Sequence, residues 1–140
     1  ENSPLAQEIL LKHLEEHRAA KERLYRRYKE GLQQLPITLN PYPADTKPNF
    51  WLTCMMIDSD CSVAFMDILN ALAKENIESR PIWKPMHMQP IFKDNAFVSA
   101  NDAAVNEDIF ERGLCLPSDI KMTEEEQDTV IEIIRGCFNV

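Results

Sequence analysis

The stretch Phe50-Trp51-Leu52-Thr53-Cys54-Met55-Met56-Ile57 decides how this chain folds. It is almost wholly apolar and too short for a helix, which predicts a strand buried on both faces. A strand of that kind needs cover, and the flanking sequence supplies it. Downstream, Asp58-Ser59-Asp60 offers candidate caps. Phe65, Ile68, Leu69 and Leu72 then form an apolar stripe, predicting a helix over about 62–75 that ends near Asn76. Upstream, Pro36, Pro41, Pro43 and Pro48 break 36–49 into a loop, because each fixes φ and removes a donor.

Before that loop, Ser3-Pro4 is a hydroxyl N-cap followed by proline at the first helical position. Leu5, Ile9, Leu14, Leu24, Tyr28, Leu32 and Leu35 recur at near-helical spacing and predict one long helix over about 4–34. At ~1.5 Å per residue it measures roughly 45 Å, longer than a 140-residue ball is wide, so part of it should overhang the core. After Asn76 the chain should run extended from Ile77 to Pro85, since Pro81 and Pro85 push their predecessors out of the α region. A third helix is expected over 101–112 with Gly113 as its stop, then a brief strand, Leu114-Cys115-Leu116. Thr123-Glu124-Glu125-Glu126 is a capping box, and Val130, Ile131, Ile133 and Ile134 give the last helix its buried side. The expected fold class is α+β: a sheet of about three short strands, helices packed on one side, and a long N-terminal helix leading in.

Composition agrees with one folded domain. The chain has 140 residues, 44% hydrophobic and 27% charged, with a net charge of −8. No apolar run approaches the ~18 residues of a membrane span, and Glu1-Asn2-Ser3-Pro4 does not open a secretory signal. The negative balance argues against a nucleic-acid or anionic-membrane partner. Cys54, Cys61, Cys115 and Cys137 contain no C-x-x-C and fall in predicted strands, helices or apolar runs. They are expected to be reduced, mostly core thiols of a cytoplasmic protein. The chain does not begin with Met, which is compatible with a piece of something longer.

The most concentrated polar and aromatic group is Glu78 to His87. Between Ile77 and Lys93, Arg80, Lys84 and Lys93 stand against Glu78 alone, a local positive patch on an acidic chain. In a regular strand Arg80 and Lys84 share a face ~13 Å apart, which suits a nucleotide diphosphate, and Trp83 lies on the opposite face. Residue chemistry alone leaves two readings open: a solvated edge strand with a buried Trp83, or an anion-binding strand with Trp83 stacked on a base. Lys21, Arg23, Arg26, Arg27 and Lys29 form a second basic cluster, spread by the helical period over several faces. His13-Leu14-Glu15-Glu16-His17 matches H-x-x-E-H, so a zinc hydrolase using His13 and His17 is one alternative. A non-catalytic interaction module is another. No G-x-S-x-G, phosphate-binding glycine loop or dinucleotide fingerprint is present, and no residue is assigned a catalytic role.

The run Asn76 to Pro90 (NIESRPIWKPMHMQP) and the later Glu111 to Ser118 (ERGLCLPS) resemble the C-terminal domain of the DegT/DnrJ/StrS family of pyridoxal-phosphate aminotransferases. Trp51-Leu52-Thr53 and the final helix from Met122 to Arg135 fit the same pattern. The resemblance implies the small C-terminal domain of a fold-type I enzyme, with residues 1–35 as a linking helix and 36–140 as the α+β domain. It also implies that an N-terminal major domain, carrying pyridoxal phosphate on a Schiff-base lysine, lies outside this chain. None of the lysines here sits in the family's lysine motif, so no cofactor is expected on the chain alone. The parent would transfer an amino group from a donor such as glutamate to a nucleotide-linked keto-sugar in bacterial surface polysaccharide biosynthesis in the cytoplasm. Its implied partners are a nucleotide-diphosphate sugar, its own major domain and a second subunit in a homodimer. Arg80, Lys84 and His87 are the implied diphosphate contacts, and Trp83 a wall of the substrate site.

Overall fold

The computed structural model describes residues 8, 11–99 and 104–139. Helix α1 (Leu14–Gly31) leads to strands β1 (Ile37–Leu39) and β2 (Cys54–Ile57) and helix α2 (Phe65–Lys74). Strand β3 (Arg80–Pro81), two 3-10 turns at Met86–Met88 and Pro90–Phe92, helix α3 (Val105–Arg112), strand β4 (Gly113–Cys115) and helix α4 (Glu124–Cys137) complete the order. All strand pairs are antiparallel, in the order β1-β2-β4-β3, so the last strand in sequence is inserted between β2 and β3.

The sheet therefore has four strands where about three were expected. The additional one, β1, lies inside the predicted loop 36–49. Three residues between prolines carry no periodic signal, and β1 is a strand only because Ile37, Thr38 and Leu39 pair with Ile57, Met56 and Met55. Strand β2 is shorter than expected. Phe50 has φ 53°, and the side-chain oxygen of Asn49 accepts the Trp51 N–H at 3.0 Å, so the chain turns before Cys54. Nor is β2 buried on both faces: Met55 and Ile57 are buried while Cys54 and Met56 are half-exposed.

Its buried face meets α2 and α4. Met55, Ile57 and Leu114 pack with Ile68, Leu72, Val130 and Ile134 in one continuous core. On the opposite face α3 lies near one end, so that Ile109 and Ile82 flank Cys54 and Met56 around a groove of about 160 Å³. Helices thus reach both faces, against the one-sided layer expected from sequence.

The helix ends follow local chemistry. Helix α2 starts later than expected, with the Ala64 N–H donating to the Asp67 carboxylate at 2.9 Å, and residues 58–60 do not cap it. Its end is the expected one: Asn76 adopts φ 59°. The N–H groups of Asn76 and Ile77 close onto the carbonyls of Ala73 and Leu72 at 3.1 and 3.0 Å, a Schellman motif. The capping box of α4 is formed in both directions, Glu126 N–H to Thr123 Oγ1 at 3.2 Å and Thr123 N–H to Glu126 at 2.8 Å.

For α1, the expected start at Ser3-Pro4, with Leu5 and Ile9, lies outside the described residues. The described helix of 18 residues is about 27 Å long. Residues 11–17 are all exposed, whereas Leu24, Tyr28, Leu32 and Leu35 are buried. Leu14, expected on the buried stripe, is 52% exposed, because the first turns stand clear of the core. The first residues of the expected third helix, 101–103, also lie outside the described residues. Gly113 is not a left-handed stop: it has φ −100° and ψ 148° and opens β4. Glycine is required there for space, since a Cβ would run into the Ile109 carbonyl oxygen and come within 2.5 Å of Ile82 Cγ1.

Gly113→Ala should therefore destabilise the fold by about 1–3 kcal/mol through overpacking. Gly136→Ala should stabilise it by roughly 0.5–1 kcal/mol, because a Cβ in this helical position meets nothing within 4 Å. Urea unfolding of the two variants checks both signs.

Candidate functional site

Strand β3 occupies an outer edge of the sheet and pairs only with β4, Arg80 opposite Cys115 and Pro81 opposite Leu114. Proline is tolerated there because an edge residue can lack its ladder donor. The ladder stops at Pro81, and the chain stays extended to Pro85 before the 3-10 turn at Met86–Met88. The regular alternation that placed Arg80 and Lys84 on one face thus extends over only two residues. This edge presents Arg80, Trp83 and Lys84 to solvent.

Arg80 is exposed and pairs with Glu78 at 2.6 Å, two residues before it. Such a surface pair contributes little to stability, so the guanidinium remains exchangeable. Lys84 is exposed and makes no ion pair among the described residues. Trp83 is not a core residue: 64% of it is exposed, and it stands against the equally exposed Trp51 with ring centroids 6.3 Å apart and planes at 33°. Trp51 falls in the strand that the sequence predicts over 50–57, but in the structure it precedes β2. Its pairing depends on the turn at Asn49-Phe50, for which the Asn-x-aromatic string was the one available signal.

His87 is turned inward. Its Nε2 lies 2.7 Å from Glu107 on α3, and its ring stacks on Phe97 with centroids 3.9 Å apart. The structure thus gathers Arg80, Trp83 and Lys84 with Trp51 at one open edge, and sets His87 apart as a clamp between the 3-10 turn and α3.

The basic cluster on α1 is largely engaged. Arg27 bridges to Asp128 on α4 at 2.7 Å, Arg26 pairs with Glu22 at 2.6 Å, and the Lys21 ammonium donates to the Ser118 carbonyl. The H-x-x-E-H string is a solvated helical face: His13 Nδ1 meets Glu16 at 2.8 Å, and the His13 and His17 rings lie 6.3 Å apart. Among the described residues no group of three or more His, Cys, Asp or Glu side chains is placed to hold a metal ion. No described helix is long and apolar enough to cross a membrane. All four cysteines are free, and three sit as the expected core thiols, Cys115 buried and Cys61 and Cys137 packed partly buried against the core, while Cys54 lines the groove on the other face.

A four-stranded antiparallel sheet with α2 and α4 on its buried face, entered by a helix whose first turns project, defines a small α+β domain of the fold-type I aminotransferase class. The chain belongs to the DegT/DnrJ/EryC1/StrS aminotransferase family, whose profile matches residues 6–135. It is 42% identical over 128 residues to EpsN of Bacillus subtilis, provisionally named a pyridoxal phosphate-dependent aminotransferase, covering 90% of this chain and 32% of that protein. It is 31% identical over 123 residues to a GDP-perosamine synthase of Caulobacter vibrioides, covering 86% of this chain and 32% of the relative. The crystal structure of a DegT/DnrJ/EryC1/StrS aminotransferase from Brucella abortus superposes with a TM-score of 0.76 at 28% identity, over 90% of this chain and 32% of that one. The chain therefore spans about a third of the length of the relatives it matches.

The family's cofactor requires an amine in an enclosed cleft together with donors for its phosphate. The residues described here do not fit it. Lys12, Lys29, Lys47, Lys74, Lys84, Lys93 and Lys121 are exposed. Lys21, the one half-buried lysine, has its ammonium held by Ser118. Burial pulls its pKa below the ordinary lysine value, and nearby Asp119 partly restores it.

His87→Ala should release the clamp on the loop that follows the 3-10 turns. Trypsin cleavage after Lys93 should then accelerate several-fold with α1 and α4 still intact by circular dichroism, whereas an unchanged rate would show that the clamp does not hold the loop.

Proposed function

We propose that this chain is the substrate-side domain of a pyridoxal-phosphate-dependent aminotransferase that delivers an amino group to a nucleotide-linked keto-sugar. The observation that carries the reading is the open β3 edge, where Lys84, without an ion pair among the described residues, the exchangeable Arg80 and the Trp51–Trp83 pair come together. Cations bind a diphosphate, and an exposed indole offers a face to a base or sugar ring. The names of relatives support the substrate class, since one is a GDP-perosamine synthase and another, SpsC of Bacillus subtilis, a spore coat polysaccharide biosynthesis protein. A bacterial surface polysaccharide is accordingly the proposed destination of the amino sugar.

The role of this chain is to bind and orient the substrate. The reactive lysine belongs to a major domain outside these residues, which would also cover the exposed Leu11 and Leu14 on α1, with a second subunit completing the site. On this reading the chain by itself does not transaminate. Seven lysines are exposed and the half-buried Lys21 donates to the Ser118 carbonyl, which supports that reading.

Tryptophan fluorescence titration with a nucleoside diphosphate sugar tests the binding role. Lys84→Ala should weaken binding about three- to tenfold, and added salt should weaken it further, as expected for exposed charges. Identical affinities for the wild type and Lys84→Ala would remove the basis for the reading. Borohydride reduction in the presence of pyridoxal phosphate should label no single lysine stoichiometrically; one specifically labelled lysine would place the cofactor site on this chain.

A further inference from the structure

We propose that Cys54 and Cys115 form an oxidisable dithiol, which a hydroperoxide converts into an intramolecular disulfide joining β2 to β4. The two residues face each other directly across the sheet, and their sulfurs lie 3.6 Å apart. The backbone pattern identifies the kind of rung they occupy. The Cys54 N–H donates to the Asn40 side chain at 2.9 Å, and the Cys54 carbonyl accepts the Asn40 N–H at 2.9 Å. Both main-chain groups of Cys54 therefore point away from β4. One residue earlier, the Thr53 carbonyl accepts the Leu116 N–H at 2.9 Å. The Cys54–Cys115 rung is thus a non-hydrogen-bonded pair, the type in which Cα atoms approach to about 4.5 Å and side chains come closest. A disulfide spans Cα separations of about 4.4–6.8 Å, so the sulfurs can close without the strands moving apart or changing register.

The surroundings favour reaction at this pair over the other thiols. The half-exposed Cys54 lines the groove beside Met56, Ile82 and Ile109, which gives a small oxidant a path to the sulfurs. Arg80 occupies the next rung, opposite Cys115. The Cys54 thiol, as donor to the Cys115 sulfur, and the Arg80 guanidinium lower the pKa of Cys115 against the opposing effect of burial. Cys137, by contrast, donates its thiol to the Ile133 carbonyl at 3.3 Å, and burial raises its pKa.

The chemistry balances with peroxide as the two-electron oxidant. A thiolate of the pair attacks one peroxide oxygen; an S–O bond forms, the O–O bond breaks, and the departing hydroxide takes up the thiol's proton as water. The neighbouring thiol attacks the resulting sulfenic sulfur, forming the S–S bond as the S–O bond breaks. The released hydroxide takes up the second proton. Two thiols are oxidised by two electrons, and one peroxide is reduced to two waters. The proposal is independent of the substrate reading, since it needs only the sheet register and the two sulfurs.

Stoichiometric hydrogen peroxide added to the chain, followed by alkylation and peptide mapping, tests it. The wild type should fall from four alkylatable thiols to two, with a Cys54–Cys115 cross-linked peptide that a reductant abolishes. Cys61→Ser and Cys137→Ser should retain that peptide. Cys54→Ser should stop at a sulfenic acid on Cys115, trapped by dimedone. Oxidation should also raise the Tm of the wild type, reversibly, and leave that of Cys54→Ser unchanged. Preferential oxidation of Cys61 or Cys137, covalent dimers as the main product, or Cys54 and Cys115 both remaining alkylatable would each overturn the proposal.

Discussion

Helices α2 and α4 hold this fold together by burying one face of the sheet. Strands of two to four residues cannot stand as an isolated sheet in water. Met55, Ile57 and Leu114 are held in place because Ile68, Leu72, Val130 and Ile134 remove them from solvent. The segment from Gly113 to Ser118 is the point of convergence. It supplies the inserted strand, its Pro117 carbonyl accepts the Tyr28 hydroxyl at 2.9 Å, and its Ser118 hydroxyl accepts the Thr53 N–H at 3.2 Å. Tyr28 is fully buried, and burial holds its phenol above the ordinary range, so it anchors α1 as a neutral hydrogen-bond donor. Gln127 completes the anchor by donating to the Leu24 carbonyl at 2.8 Å from within the core.

On the opposite face α3 covers only one end, which leaves the groove beside Cys54 and the β3 edge open, and the chemically distinctive residues collect there. Arg80, Cys115 and Cys54 occupy one line across three strands, with the two indoles and Lys84 at the edge beyond. The exposed indoles, the exposed Lys84 and the half-exposed Cys54 together form an open surface of mixed chemistry. The projecting turns of α1, with Leu11 and Leu14 exposed, are a second such surface, consistent with a chain that spans about a third of its relatives.

Features carried by a few adjacent residues were legible from sequence. The α4 capping box, the Asn76 helix end and the apolar stripes of α2 and α4 need only local geometry, and each is found where it was expected. The NIESRP-x-WKPMH string was legible in another sense, as a resemblance to the family whose model matches residues 6–135. Features decided by pairing at a distance were not. Ile37–Leu39 is a strand because Ile57 lies opposite it, and Gly113 is a glycine because Ile82, distant in sequence, needs the space. His87 resembles its neighbours as a candidate ligand until Glu107 and Phe97 take hold of it.

Hydrophobic period, caps and prolines act over a few residues, and so the α+β class, the position of most helices, the family and the segment where the cations gather are written in the chain. The insertion of β4 between β2 and β3, the meeting of Trp83 and Trp51 in solvent and the pairing of Cys54 with Cys115 emerge from long-range packing. The first and the last depend on strand register, set by how the whole apolar set is buried at once, and a shift of one residue would turn Cys54 to the other face, whereas the indole contact depends on the turn at Asn49-Phe50 before β2.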